Sequence, residues 1–374
     1  MTVSVWQQAD EPLETEHDDV VIGAGIVGSY AATLLVQRGR NVALVDARFP
    51  AAGASGRNAG FVLTAQRETY PDLIARVGRA AAHEIFRMVR DNVRRMRELA
   101  AEHGVPMRDG AVHLAETRAE ARLLERWARE LAADGISVEF TQDDPFHAGF
   151  AASMRVADDF VVQPARLTER VAAASGATRY DHNEVFRLVP DGDQLVVQGR
   201  RAHLRCRRVY IATNGYAGAL HPYLRRIVRP VRGQITITTP VGPVMPIGGL
   251  TEHHYFHQLA DNRLLIGGAR TFFEPQEDTA EDTVTPNLHA NLRAYLRRWF
   301  PDEVFEVERQ WSGIHGFTAD QRAAVGRIPR EPRIAFAVGF SGYGNSIGLL
   351  AAERMVELVL DDRDPGPLSA ARFG

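Results

Sequence analysis

The sequence predicts a discontinuous α/β fold: a Rossmann-type domain assembled from several chain segments, with an inserted α+β domain of mainly antiparallel sheet plus helices. Three observations carry that expectation. A strand, glycine turn, helix and second strand are written out at 19–46 as DVVIGAGIVGSYAATLLVQRGRNVALVD. Later, VYIATNGY (209–216) and FAVGFSGYGNSIGLLAAERMVELVL (336–360) each read as an apolar strand breaking into a polar or glycine-rich turn. Between these lie stretches such as GQITITTP and RLLIGGAR, whose alternation indicates antiparallel strands. Segments 1–75, 155–225 and 320–374 are therefore expected to form the first domain, and 76–154 and 226–319 the second.

In chain order, 1–18 reads as a lead-in, with Trp6 and Leu13 as anchors onto the body. Val20, Val21 and Ile22 form a buried strand. Gly23 permits the tight turn, Gly25 lets backbone approach a pyrophosphate, and Gly28 lets helix pack closely on strand. Ile26 and Val27 open a helix whose free N–H groups and positive dipole end suit phosphates. Asp46, ending the second strand and followed by Ala47 and Arg48, can accept a hydrogen bond from a ribose hydroxyl. The order of parts specifies a dinucleotide site and does not separate NAD from FAD.

A Gly/Ser/Ala-rich loop follows at 51–60. From Asp72 to about His103 the spacing of Ile85, Val89, Val93 and Met96 predicts one helix with a solvated arginine face. A further helix is expected from Arg118 to Ala133, with short strands at 112–114 and 137–140. After a turn at Pro164 come another helix and two strands, 184–189 and 194–198, joined by Pro190-Asp191-Gly192. NLHANLRAYLRRWF is a helix with Leu288, Leu292, Tyr295 and Leu296 on its apolar side.

The 374 residues suffice for about two domains, and 45 % hydrophobic with 24 % charged residues is ordinary for a globular protein. A net charge of -3 disfavours a nucleic-acid partner. Cys206 is the one cysteine, which excludes a disulfide framework and a cysteine-cluster metal site. No apolar run is long enough to span a bilayer, and the polar amino terminus is unlike a secretory signal, so a cytoplasmic location is expected. All 44 basic residues are arginine, which excludes Schiff-base chemistry on lysine and a Walker-type phosphate lysine.

Several blocks together resemble the FAD-dependent D-amino-acid oxidase superfamily, in particular the branch containing glycine oxidase and gamma-glutamylputrescine oxidase. GAGIVGSYAATLLVQRG leads into V-x-L-V-D, where the family more often ends in Glu. GASGRNAGF (53–61) is similar to the family's S-G-R-N-G-G loop, with Ala59 for a glycine. VYIATNGY, PVRGQ (230–234), RLLIGG (263–268), WSGIHGFTADQRAAVG (311–326) and VGFSGYGNSIGL (338–349) resemble the later blocks in order and spacing. The resemblance implies non-covalent FAD. It implies that Ser55, Gly56, Arg57, Asn58, Ala59 and Gly60 line the isoalloxazine and pyrophosphate region, and that Val185 holds the adenine through its backbone. Ala212, Thr213 and Asn214 would flank the cofactor, with Gly313 beside it. Gly342, Tyr343, Gly344, Asn345 and Ser346 open the last helix, whose N-terminus can stabilise negative charge at N1–C2 of reduced flavin.

The informative departure is His315. In the glycine oxidase pattern W-x-G-L-R-P an arginine clamps the substrate carboxylate, a bidentate task that suits a guanidinium. Here Trp311-Ser312-Gly313-Ile314-His315-Gly316 puts an imidazole at that place, and imidazole lacks the same fork of donors. An amine without an α-carboxylate is therefore the expected substrate, oxidised by hydride transfer to flavin N5 with hydrolysis of the imine. His315 would bond the amine, polarise the flavin edge or simply pack. Arg232 is read either as a replacement anchor or as a structural partner of a carboxylate. His253, His254 and His257 invite a metal reading, but an aromatic wall of Phe61, Tyr255 and Phe256 is preferred, with no metal. Oxygen or another acceptor would take the electrons, because the lysine that promotes oxygen reaction in related sarcosine oxidases has no counterpart. An amino-acid or 2-hydroxy-acid oxidase of the same fold is the alternative, and a flavoprotein acting as a binding partner is a third. Oligomeric state is left open.

Overall fold

The computed structural model describes residues 13–64 and 68–374. Trp6 lies outside the described residues. The Leu13 side chain is 61 % exposed, and Leu13–Glu16 is held through its backbone as an edge strand paired in parallel with Ala202–Cys206.

A six-stranded sheet runs in the order Thr178–Tyr180, Val42–Val45, Asp19–Ile22, Arg208–Ile211, Glu331–Val338 and Ala324–Ile328. All neighbours are parallel except the last pair. Its central strands are buried along their length, which is why they read as unbroken apolar runs rather than alternating ones. The first helix, Ile26–Gln37, and the closing helix, Gly344–Asp361, cover one face and share a core of Val27, Ala31, Leu35, Leu349, Ala352 and Met355.

An eight-stranded sheet runs Val307–Phe317, Arg229–Pro240, Arg263–Gly268, His254–Gln258, Gly248–Leu250, Ala111–Ala115, Ala152–Val156 and Val138–Thr141. Its pairs are antiparallel except Gly248–Leu250 with Ala111–Ala115. Helix Pro286–Trp299 packs Leu288, Leu292, Tyr295 and Leu296 against this sheet with Phe256, Leu264 and Ile266.

Two local expectations are corrected, one helix and one strand end. The helix expected from Asp72 is two, Tyr70–Val77 and Arg79–Glu102, separated at Gly78, whose φ of 82° is left-handed. The second of these buries Val89, Val93 and Met96 in the core of the first and closing helices, although it falls in the segment expected with the inserted domain. The strand Val185–Asp191 runs through Pro190 and Asp191 before turning.

Candidate functional site

Between the two sheets lies a cavity of about 780 Å³ that extends from the glycine turn after the first parallel strand to the inserted sheet. At one end its wall is backbone. Gly23 adopts φ 105°, and a Cβ there would come within 2.8 Å of the Ala212 carbonyl oxygen. A Cβ on Gly28 would stand 1.9 Å from the Gly23 carbonyl oxygen, so the first helix can sit this close to the turn only with glycine there. In the two helices that open on the cavity, Ile26–Gln37 and Gly344–Asp361, the N-cap residues Gly25 and Tyr343 make no side-chain cap hydrogen bond. Two positive helix ends thus face one space, a disposition suited to a pyrophosphate and to developing negative charge.

Gly23, Gly25, Ile26, Val27, Asp46, Ala47 and Arg48 line this end. Asp46 accepts backbone N–H bonds from Ala24 (2.8 Å) and Arg48 (2.8 Å), which fix its carboxylate at the strand end. Burial pushes that carboxyl above its ordinary value despite those bonds. Val185 lines the same end, joined by Asn183 and Glu184, which the sequence reading omitted. The Thr213 hydroxyl is buried with no partner among the described residues, an orphan that a polar ligand would satisfy.

Ser55, Asn58 and Ala59 continue the wall, as do Ala212, Thr213, Asn214 and the run from Gly342 to Ser346. Their mutual bonds fix the loop shapes. Ser55 Oγ accepts from the Ile26 N–H at 3.0 Å, and Asn345 donates to Asn58 Oδ1 and to the Phe61 carbonyl, each at 3.1 Å. Gly28, Gly56, Gly60 and Gly313 lie behind the wall. A Cβ on Gly56 or Gly60 would stand 2.1 Å from the carbonyl oxygen of Ala51 or Val162. Arg57 does not line the cavity either. It donates to the Ser312 carbonyl at 2.7 Å and pairs with Asp282 at 2.8 Å, tying its loop to the eight-stranded sheet and to the 270–285 segment.

At the other end side chains form the wall. Phe61 meets Tyr255 edge-on, ring centroids 6.2 Å apart, and His257 at 5.4 Å. Burial pushes the Tyr255 phenol up to about 12. Phe256 takes no part: strand alternation turns it into the helix-covered core, where it is fully buried. His257 bonds the Ala59 carbonyl at 3.0 Å, His254 stacks on Tyr295 at 3.7 Å, and His253 Nδ1 meets the Thr271 hydroxyl at 3.1 Å. The three imidazoles diverge, and among the described residues no group of histidine, cysteine and carboxylates could hold a metal ion.

His315 lines the cavity opposite Gly233, where a Cβ would come within 2.5 Å of Nε2; the glycine of PVRGQ makes the imidazole's room. Desolvation, with Arg270 nearby, lowers the imidazole to about 4, so it is neutral at pH 7. Of its two expected roles, Arg232 takes the structural pairing with a carboxylate and has no donor left for a substrate anchor. Its side chain is 5 % exposed, it pairs with fully buried Glu277, and its nitrogens also donate to Thr283, Thr285 and the carbonyls of Gln276 and Glu281. Burial raises the Glu277 carboxyl, but Arg232, Thr285 and Gln234 outweigh it and hold the group below its ordinary value. Every donor of Arg232 is committed to pinning the 276–285 segment.

The cavity also contains Arg270, Thr271 and Phe317, which the sequence reading did not single out. Arg270 follows Ala269, whose φ of 60° is left-handed, and only the paired strands around it show that its side chain meets the cavity.

An extended ligand with a pyrophosphate and a flat apolar end fits this enclosure, and the comparisons agree. A family model described as FAD dependent oxidoreductase matches residues 18–358. The chain is 26 % identical over 370 residues to "Probable oxidoreductase OrdL" of Rhizobium meliloti, spanning 93 % of this chain and 84 % of that protein. It is 22 % identical to gamma-glutamylputrescine oxidoreductase of Escherichia coli, with the same two coverages. The crystal structure of glycine oxidase from Geobacillus kaustophilus superposes with a TM-score of 0.77 at 22 % identity, covering 96 % of this chain and 98 % of that one.

Proposed function

The chain belongs to the FAD dependent oxidoreductase family, and from that premise we propose that it oxidises the C–N bond of a small amine lacking a clamped α-carboxylate. It is an FAD-dependent oxidoreductase of the amine and amino-acid oxidase type. The observation that carries the finer reading is the neutral imidazole of His315 in the cavity wall opposite Gly233. A neutral imidazole offers one donor, and a guanidinium offers five in a fork, so His315 is suited to orient an amine and unsuited to clamp a carboxylate.

In this reading the glycine turn, Asp46 and the two helix ends hold FAD without a covalent link. Cys206 supports that: it is buried in the strand Ala202–Cys206 of a separate four-stranded sheet, its thiol pushed up to about 12. Bound FAD would supply the hydride acceptor, the amine nitrogen would lose a proton, and the resulting imine would be hydrolysed by water. The chain's own contribution is orientation and exclusion of solvent. Phe61 and Tyr255 provide apolar walls, and His315 accepts or donates one hydrogen bond to the nitrogen. Oxygen or another electron acceptor completes the cycle.

The test is anaerobic bleaching of the flavin by a panel of primary and secondary amines and α-amino acids, followed by re-oxidation with oxygen. Amines are expected to bleach at least ~10-fold faster than the matching α-amino acids. Faster bleaching by α-amino acids would reverse the assignment.

A further inference from the structure

Two arginines near the site contrast sharply in how their charge is met. Arg232 has its donors filled by buried partners. Arg270, in the cavity wall, is paired through Nη1 with Glu274 and makes no other ion pair among the described residues. Its side chain is 14 % exposed, whereas that of Glu274 is 45 % exposed and so reaches solvent. The guanidinium lies 5.0 Å from the Phe317 ring centroid, and that ring is 6.4 Å from the His315 ring. A largely desolvated guanidinium of five N–H donors, with one solvent-facing partner, is poised to take a second anion.

We infer that Arg270 is the anion-binding residue of this cavity and that the substrate is an amine carrying a carboxylate several carbons from the oxidised C–N bond. The inference rests on the preceding reading, in which the reacting nitrogen lies beside His315. The Phe317 ring neighbours both that imidazole and Arg270, so a methylene chain joining the amine to a carboxylate on Arg270 would lie along an apolar ring shared by the two polar groups. Glu274 neutralises the cation until a carboxylate meets it.

The test uses the FAD-loaded enzyme with four probes of equal chain length: pentylamine, δ-aminovalerate, norvaline and valerate. Anaerobic bleaching should favour δ-aminovalerate over pentylamine and norvaline by ~10-fold or more, as a charge-assisted pair predicts. Valerate, which has no amine to oxidise, should perturb the flavin absorption spectrum, giving a dissociation constant that owes nothing to turnover. Arg270→Gln should weaken valerate ~10-fold or more and abolish the preference for δ-aminovalerate. Arg270→Lys should restore part of both, and Glu274→Gln should tighten valerate. Valerate binding that is unmoved by both arginine variants, or a norvaline preference that both variants weaken, overturns the inference. If no amine bleaches the flavin while valerate still depends on Arg270, the amine-oxidation reading fails and the anion site stands.

Discussion

The end of the cavity at Gly23–Gly28 and the end at Tyr255 and His315 are built from different material. The first is main chain: glycines that admit no Cβ, two helix ends whose own N-cap residues make no side-chain cap bond, and a carboxylate held by backbone N–H groups. The second is side chain: two aromatic rings, a neutral imidazole and a guanidinium, drawn from strands far apart in sequence. Main-chain geometry recognises what all dinucleotides share, and it tolerates little substitution. Side chains recognise what differs between substrates, and they can be exchanged while the sheet beneath them stays. The second end is nevertheless not soft, because Arg232 and Glu277 fix the 276–285 segment from inside the protein.

Three perturbations would break or sharpen that contrast. The largest effect is expected from Gly28→Val, which drives a branched side chain into the Gly23 carbonyl. Purified protein should retain almost no flavin by absorbance and should lose more than about 4 kcal/mol of stability. Near-normal flavin content would show that the main-chain end is more yielding than its geometry implies. Next is Arg232→Gln, which strands the fully buried Glu277; urea unfolding should show a loss of about 3–5 kcal/mol. Bleaching rates should fall to a similar degree for every amine, because the segment is loosened and no substrate contact is removed. A selective loss for one class would return Arg232 to the substrate.

The smallest effect is a pH dependence carried by buried imidazoles of the eight-stranded sheet and of the helix Pro286–Trp299 that covers it. Burial lowers His254, His257, His289 and His315 from the ordinary 6.5 to about 4. The unfolded chain therefore binds more protons between those values. Stability contributed by these neutral rings is fully present above pH 6.5 and is lost as pH falls toward 4. The urea midpoint should decline across that window, and His257→Gln should flatten part of the decline. The Asp159 carboxyl, pushed up by burial to about 7, acts in the opposite sense. The deciding quantity is therefore the difference between wild type and His257→Gln: a difference that does not change from pH 7 to 4 would contradict a neutral, buried His257.

The main-chain end was legible because its chemistry demands glycine at fixed spacing in one contiguous stretch. The parallel strands were legible because burial on both faces leaves unbroken apolar runs. Arginines were ambiguous for a physical reason: with no lysine in the chain, arginine also serves structural ties. Arg57 and Arg232 sit in loops and strands that resemble family blocks, yet they hold segments together. Arg270 left no sequence signal, since its place depends on a left-handed Ala269 and on strand register. Phe256 and Tyr255 are adjacent in sequence, and pairing alone decides which of them meets the cavity.

The 270–285 segment is held at a few points: Arg232 grips residues 276–285, and Asp282 grips Arg57. Arg270 and Glu274 precede that grip. An evolving lineage can therefore rewrite these two residues without unpinning the rest or disturbing the glycine turn. Diversification of substrate choice in this fold then becomes a matter of editing a short cassette beside an inherited engine.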